Sequence, residues 1–199
     1  MAIGKQAVFL DRDGVLTVPV WNEATGESEA AKSPLEIELT EHAAESVKAL
    51  QAQGYLVVVI SNQPDAAKGK VDYGVLVETG RAFEALLKRQ GVRLDGVYYC
   101  YHHPAGVLQE LTGHCECRKP APGLVKQACV ELGIDPRCSW FVGDRDTDVE
   151  CGRAAGCRTI LIRSVESGRP GWGKSQPDGM AADVWDAVRL ILEPSLWKS

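Results

Sequence analysis

The chain has 199 residues, 45% of them hydrophobic and 25% charged, with a formal net charge of −5. That is the make-up of one soluble globular domain, 1–199, with enough chain to bury a sizeable core. Without a block of Lys or Arg it offers no basic face for nucleic acid or an anionic membrane, and no apolar stretch approaches the roughly 20 residues that span a bilayer.

Met1-Ala2-Ile3-Gly4-Lys5-Gln6 leads straight into an apolar run and leaves no room for the apolar region of a signal peptide, so a cytoplasmic location is expected. Ala7-Val8-Phe9-Leu10 reads as a buried parallel strand that breaks into the polar turn Asp11-Arg12-Asp13-Gly14-Val15. Residues 17–38 read as irregular. Thr40 is a candidate N-cap for a helix from Glu41 to about Gln53, closed by Gly54. Leu56-Val57-Val58-Val59-Ile60 is the clearest buried strand, and it ends in Ser61-Asn62-Gln63-Pro64. After a polar segment (64–74), a helix is predicted from Val75 to Gln90, then a short strand at Val97-Tyr98-Tyr99. A long loop ends in Arg118-Lys119-Pro120 and is followed by a helix over Gly123–Leu132. Trp140-Phe141-Val142 is the next strand, delivering Gly143-Asp144-Arg145-Asp146-Thr147-Asp148 at its end. A helix to about Ala155, a strand at 159–162, a loop over 164–180 and a helix from Trp185 to Leu192 complete the chain.

Strands alternating with helices predict an α/β fold: a three-layer, Rossmann-like parallel sheet with helices on both faces. In such sheets ligands bind beyond the carboxyl ends of the strands, where three of these strands deliver Asp11/Asp13, Ser61/Asn62 and Asp144/Asp148. Asp11, Asp13 and Asp144 form a crowd of carboxylates that is costly without a cation, and oxygen ligands suit Mg²⁺. Lys119 adds a compact positive charge and Ser61 a hydroxyl. A magnesium ion, a lysine and such donors around one carboxylate nucleophile would stabilise a transferring phosphoryl group.

Seven cysteines, an odd number, fit a reducing compartment in which thiols serve as metal ligands or core residues. Cys129, Cys138, Cys151 and Cys157 lie in or beside apolar periodic stretches and read as small core hydrophobes. Cys100-Tyr101-His102, then twelve residues, then Cys115-Glu116-Cys117 offers four N/S ligands in two tight pairs, the closed set that structural Zn²⁺ favours. His103 and His114 are alternative ligands; His102 is preferred because its spacing mirrors that of Cys115 and Cys117.

The four motifs Asp11-Arg12-Asp13-Gly14-Val15, Ser61-Asn62-Gln63, Arg118-Lys119-Pro120 and Gly143-Asp144 with Asp148 stand in the order of the haloacid dehalogenase superfamily, which this chain resembles over about residues 7–160. The resemblance implies that Asp11 attacks phosphorus, that Asp13 protonates the leaving oxygen and then deprotonates water, and that Ser61 and Lys119 bind phosphoryl oxygens. It also implies that Asp11, Asp144 and the Asp13 carbonyl hold Mg²⁺, with Asp148 orienting its neighbours and Asp146 competing for that role. Arg12, Asn62, Gln63, Arg118 and Arg145 are expected to meet the substrate. The zinc loop (about 100–117) directly before Arg-Lys-Pro resembles the D-glycero-D-manno-heptose 1,7-bisphosphate phosphatases and the histidinol-phosphate phosphatases, and its length is more like the former. Like those groups the chain is expected to lack a large cap domain, with loops 17–38, 64–74 and 101–117 shaping the pocket mouth. Two departures bear on specificity. Pro64-Asp65 replaces the Ser-Gly that typically follows the Gln, and Lys68 stands where those enzymes carry an Arg.

The expected partner is therefore a small phosphorylated sugar or related metabolite, handled by a monomer. Histidinol phosphate or another sugar phosphate is the alternative substrate. A DNA 3′-phosphatase fits the acidic charge poorly, and a non-catalytic zinc-stabilised binding domain would not need the complete set of polar residues.

Overall fold

The structure, a computed structural model, describes residues 4–24, 26–163, 174–193 and 195. β1 (Ala7–Leu10), without an exposed residue, is paired in parallel on one side with β4 (Leu56–Asn62) and on the other with β6 (Trp140–Gly143). β5 (Gly96–Cys100) continues the sheet beyond β4, while β7 (Arg158–Ile162) and β8 (Gly179–Ala181) continue it beyond β6. The order is β5-β4-β1-β6-β7-β8, every pairing parallel. Chain order runs outward from β1 in both directions, so the crevice beyond the carboxyl ends of β1, β4 and β6 is the topological switch point.

The strands bury both faces, which is why they read as continuous apolar runs rather than alternating ones. Val8, Leu10, Val57, Val59, Trp140, Val142, Ile160 and Ile162 pack with α1 (Ala43–Ala52), α2 (Tyr73–Arg89) and α5 (Val184–Leu192). Phe9, Val58, Ile60 and Phe141 face α3 (Gly123–Leu132) and α4 (Asp146–Ala155) on the other side. Among the described residues no helix is long and apolar enough to cross a membrane.

Several elements differ from the sequence reading. Residues 17–38 contain an antiparallel hairpin, β2 (Val20–Asn22) and β3 (Glu27–Glu29), too short to show a periodicity. Thr40 does not cap α1, because its hydroxyl donates to the Val15 carbonyl at 2.8 Å; α1 starts after His42, whose φ is 61°. The loop expected over 164–180 includes β8, held to β7 by the Asp178 carboxylate, which accepts from the Thr159 N–H at 2.7 Å; residues 164–173 lie outside the described residues. Cys151 and Cys157 are buried, whereas Cys129 is only half-buried and Cys138, in the turn before β6, is exposed.

α4 lies unusually close to the sheet at Gly152. A Cβ there would come within 2.6 Å of the Phe141 Cβ and 2.8 Å of the Thr159 Cγ2. In an exposed helix interior Gly→Ala gains up to about 1 kcal/mol. Here Gly152→Ala should instead destabilise by about 1–3 kcal/mol through overpacking, measured as a lower urea midpoint; a stabilised variant would refute this packing.

Candidate active site

The three loops that follow β1, β4 and β6 meet the long loop before α3 at the switch point. After β1 the backbone turns tightly, with the N–H groups of Val15, Leu16 and Thr17 all donating to the Arg12 carbonyl. Gly14, at φ 82°, passes so close to Asp144 that a Cβ would sit 2.7 Å from that carboxyl carbon. Gly143 makes the same allowance for Asp148, whose Cβ and carboxylate occupy the space a side chain would fill.

Lys119 is the hub. The residue is 3% exposed; its ammonium lies 2.9 Å from Asp11 Oδ1 and 2.6 Å from Asp148 Oδ1, and it donates to the Ile60 carbonyl at 3.0 Å. Burial pushes its pKa down, but Asp11 and Asp148 together outweigh this and leave it raised. Asn62 fixes the Lys119 backbone at both ends of its amide, accepting from the N–H at 3.1 Å and donating to the carbonyl at 3.2 Å. Asp148 Oδ2 accepts from the Arg145 N–H at 3.0 Å, so both of its oxygens are committed.

Asp11, Asp144 and Asp148 bring carboxylate oxygens within 4.8 Å of one another, all three buried. Asp144 Oδ1 is buried without a hydrogen-bond partner. Burial raises the Asp144 carboxyl far above the usual range, and repulsion from Asp148 and Asp11 adds to it. Arg12 N–H and Lys119 both bind Asp11 Oδ1, at 2.7 and 2.9 Å, and no described residue donates to its Oδ2. Buried oxygens in excess of their donors are the chemistry a hard divalent cation satisfies, so this set could hold one.

Asp13 also lines the cleft, but its carboxylate is tied back. Arg12 grips it with Nε and Nη2 at 3.0–3.2 Å, Gln63 Nε2 donates to Oδ2 at 2.6 Å, and Thr17 Oγ1 donates to Oδ1 at 3.1 Å. Thr17 carried no motif that would have revealed this contact. Ser61, 1% exposed, accepts from Gln63 Nε2 at 3.1 Å. The cleft holds about 400 Å³ and is lined by Asp11, Asp13, Ser61, Asn62, Arg118, Lys119 and Arg145 among others. Arg12 and Gln63 are not part of that lining. Asp146 reaches the lining too, but its carboxylate accepts from the N–H groups of Lys174 and Ser175 at 3.2 and 3.1 Å.

Beside this cleft, Cys100, His102, Cys115 and Cys117 gather their ligand atoms within 4.8 Å of one another. The Sγ atoms of Cys100 and Cys115 are 3.7 Å apart, and His102 Nδ1 is 3.8 Å from Cys100 Sγ and 3.3 Å from Cys117 Sγ. Such separations, with three thiols and an imidazole, suit a closed tetrahedral metal site. His103 is not part of it; its ring nitrogen accepts from the Ala105 N–H.

The chain is similar to known proteins over most of its length. A HAD-hydrolase-like family model matches residues 116–187. The D-glycero-beta-D-manno-heptose-1,7-bisphosphate 7-phosphatase of Pasteurella multocida (strain Pm70) is 33% identical over 189 residues, covering 94% of this chain and 97% of that protein. The chain belongs to this phosphatase family, within the haloacid dehalogenase superfamily. Among solved structures, one described as a HAD-like phosphatase from Mesorhizobium loti matches with a TM-score of 0.76 and 27% identity, over 94% of this chain and 86% of that one. The D,D-heptose 1,7-bisphosphate phosphatase of B. bronchiseptica, determined with magnesium and phosphate, shares the fold with a TM-score of 0.75 and 24% identity, over 95% and 99% of the two chains.

In this member of the heptose bisphosphate phosphatase family the mouth of the cleft is formed by the β2–β3 hairpin and the 64–70 segment. Loop 101–117, expected to line it, contributes none of the lining residues; instead the N–H groups of Val107 and Leu108 donate to the Ala67 carbonyl and brace that segment from behind. Glu29 joins the two lips. It pairs with Lys32, three residues on, and at 2.8 Å with Lys70, the second a contact between distant loops that no local pattern announces. Hydrogen bonds from Lys32 and then Lys70 hold the Glu29 carboxyl down to about 2. A depressed carboxyl stabilises the fold at any pH above its ordinary value of 4.5 and loses that contribution as pH falls towards about 2. Carboxyl-carbon NMR should therefore place the Glu29 midpoint near 2, and Lys70→Gln should move it upward; a midpoint at the ordinary value would dissolve the tie.

Proposed function

We propose that the protein hydrolyses D-glycero-β-D-manno-heptose 1,7-bisphosphate to the heptose 1-phosphate, through an aspartyl-phosphate and with Mg²⁺. The observation that carries this is Asp11 with one carboxylate oxygen bound by Lys119 and the other without a donor, next to the unpartnered oxygen of Asp144. The family relationship supports the substrate.

In this reading Asp11 attacks phosphorus; the P–O bond to the sugar breaks as the bond to Asp11 forms, and Asp13 gives its proton to the leaving oxygen. Asp13 then takes a proton from water as that water displaces Asp11 from phosphorus. Ser61 and Lys119 hold the phosphoryl oxygens, and Arg118 with Arg145 and Lys68 faces the rest of the substrate across the cleft. Asp11, Asp144 and the Asp13 carbonyl would hold Mg²⁺, which when bound supplies positive charge to the phosphoryl oxygens. Asp11→Asn should stay folded and release no phosphate from the heptose bisphosphate. Substantial turnover by that variant would end the covalent mechanism. Faster release from histidinol phosphate, hexose phosphates or a 3′-phosphorylated oligonucleotide would end the substrate assignment.

We assign Zn²⁺ to Cys100, His102, Cys115 and Cys117, in a folding role, because four protein ligands leave no open position. Seven cysteines, none in a disulfide, support a reducing, cytoplasmic setting, in which the protein acts as a monomer on a diffusible phosphosugar. Metal analysis should find one zinc per chain, and Cys100→Ser should lose it together with stability. Purified protein without bound zinc, with Cys100→Ser as stable as the parent, would remove the assignment.

A further inference from the structure

Arg12 and Gln63 sit in two of the active-site motifs, yet they are 1% and 3% exposed and their polar ends point at other protein groups. We infer that both are positioning residues for Asp13, holding its carboxyl at one place in the cleft wall. This rests on the reading of Asp13 as the acid and base.

The contacts form a closed circuit. Arg12 Nε and Nη2 present a guanidinium fork to both Asp13 oxygens, the geometry that gives a carboxylate a fixed plane as well as a partner. Arg12 Nη2 also donates to Gln63 Oε1 at 2.8 Å, and Gln63 Nε2 returns to Asp13 Oδ2 at 2.6 Å and to Ser61 Oγ at 3.1 Å. The circuit is anchored at both ends. The Arg12 guanidinium lies 5.6 Å over the Tyr99 ring of β5, and the Gln63 N–H donates to the Cys100 carbonyl at 2.7 Å. Gln63 therefore sets Asp13 and Ser61 relative to each other, tying the proton donor to a phosphate-binding group. With Arg12 Nε and Nη2 and the Gln63 side-chain amide turned to protein atoms, and neither residue in the cleft lining, direct recognition of substrate is not what they are built for.

The test is leaving-group dependence. A sugar alkoxide needs the Asp13 proton as its P–O bond breaks, whereas 2,4-dinitrophenyl phosphate expels a phenolate that does not. Rapid-quench formation of the aspartyl-phosphate is measured for Gln63→Leu, Arg12→Lys and Asp13→Asn, with melting temperatures alongside. For Gln63→Leu and Arg12→Lys the step should slow by about tenfold or more on the heptose bisphosphate and by less than about threefold on the aryl ester, with the sugar's KM unchanged. Asp13→Asn must show the same split more strongly. If it does and the other two slow both substrates equally, or raise KM at constant kcat, the positioning inference is overturned and the Asp13 reading stands. If Asp13→Asn shows no split, both fall. Should Arg12→Lys fail to fold, Gln63→Leu, which keeps the side-chain volume, decides alone.

Discussion

The structure depends on one buried ammonium. Lys119 Nζ sits where the loops after β1, β4 and β6 converge, and its three partners, Asp11, Asp148 and the Ile60 carbonyl, come from three different elements. Leaving one member of a buried ion pair without its partner costs about 3–5 kcal/mol, so each of these elements is constrained by the charge the others carry. The lysine is itself held through its backbone by Asn62, which makes the loop after β4 responsible for where the charge stands. A residue that looks like a substrate contact in the motif is thereby spent on geometry.

One ammonium does not balance the site. Asp11, Asp13, Asp144 and Asp148 bring four carboxyls, and Lys119 and Arg12 answer two of them. Asp13 is satisfied by Arg12, and Asp148 by Lys119 and the Arg145 N–H, which leaves the deficit on Asp11 and Asp144. The unmet demand is thus localised. It is of the kind a divalent cation answers, and it falls where one of the two carboxylates has an oxygen with no donor and the other has a buried oxygen with no partner. Gly14 and Gly143 allow the four acids to crowd this closely, since a side chain at either would occupy the volume of Asp144 or Asp148.

Much of this was legible in the sequence because of where the polar residues stand. A buried parallel strand reads as an uninterrupted apolar run, so the first polar residues after it mark the carboxyl end of the sheet. Asp11, Ser61 and Asp144 follow such runs, and the structure brings them together with Lys119. The Cys/His quartet was legible from side-chain chemistry alone. The direction of a side chain was not. Nothing local to Arg12 says that its guanidinium turns inward over Tyr99, or that Gln63 reaches back to Asp13, because both orientations are decided by residues far away in the chain. The β2–β3 hairpin and β8 escaped for a different reason: three-residue strands carry no period, and cross-loop pairs such as Glu29–Lys70 leave no pattern.

The Cys/His cluster is nearer to the chemistry than a purely structural label suggests. Loop 101–117 adds nothing to the cleft lining, but its two ends adjoin residues that do the positioning. Cys100 closes β5 and its carbonyl receives the Gln63 N–H, while Cys117 directly precedes Arg118 and Lys119. Arg118 in turn donates from Nη1 to the His102 carbonyl at 3.3 Å. Drawing four ligand atoms together therefore sets the separation between the β4–β5 edge, which carries Gln63, and the segment that carries Lys119. The fold thus uses two charge problems, an excess of buried carboxylates and a knot of thiols, to place the same few side chains.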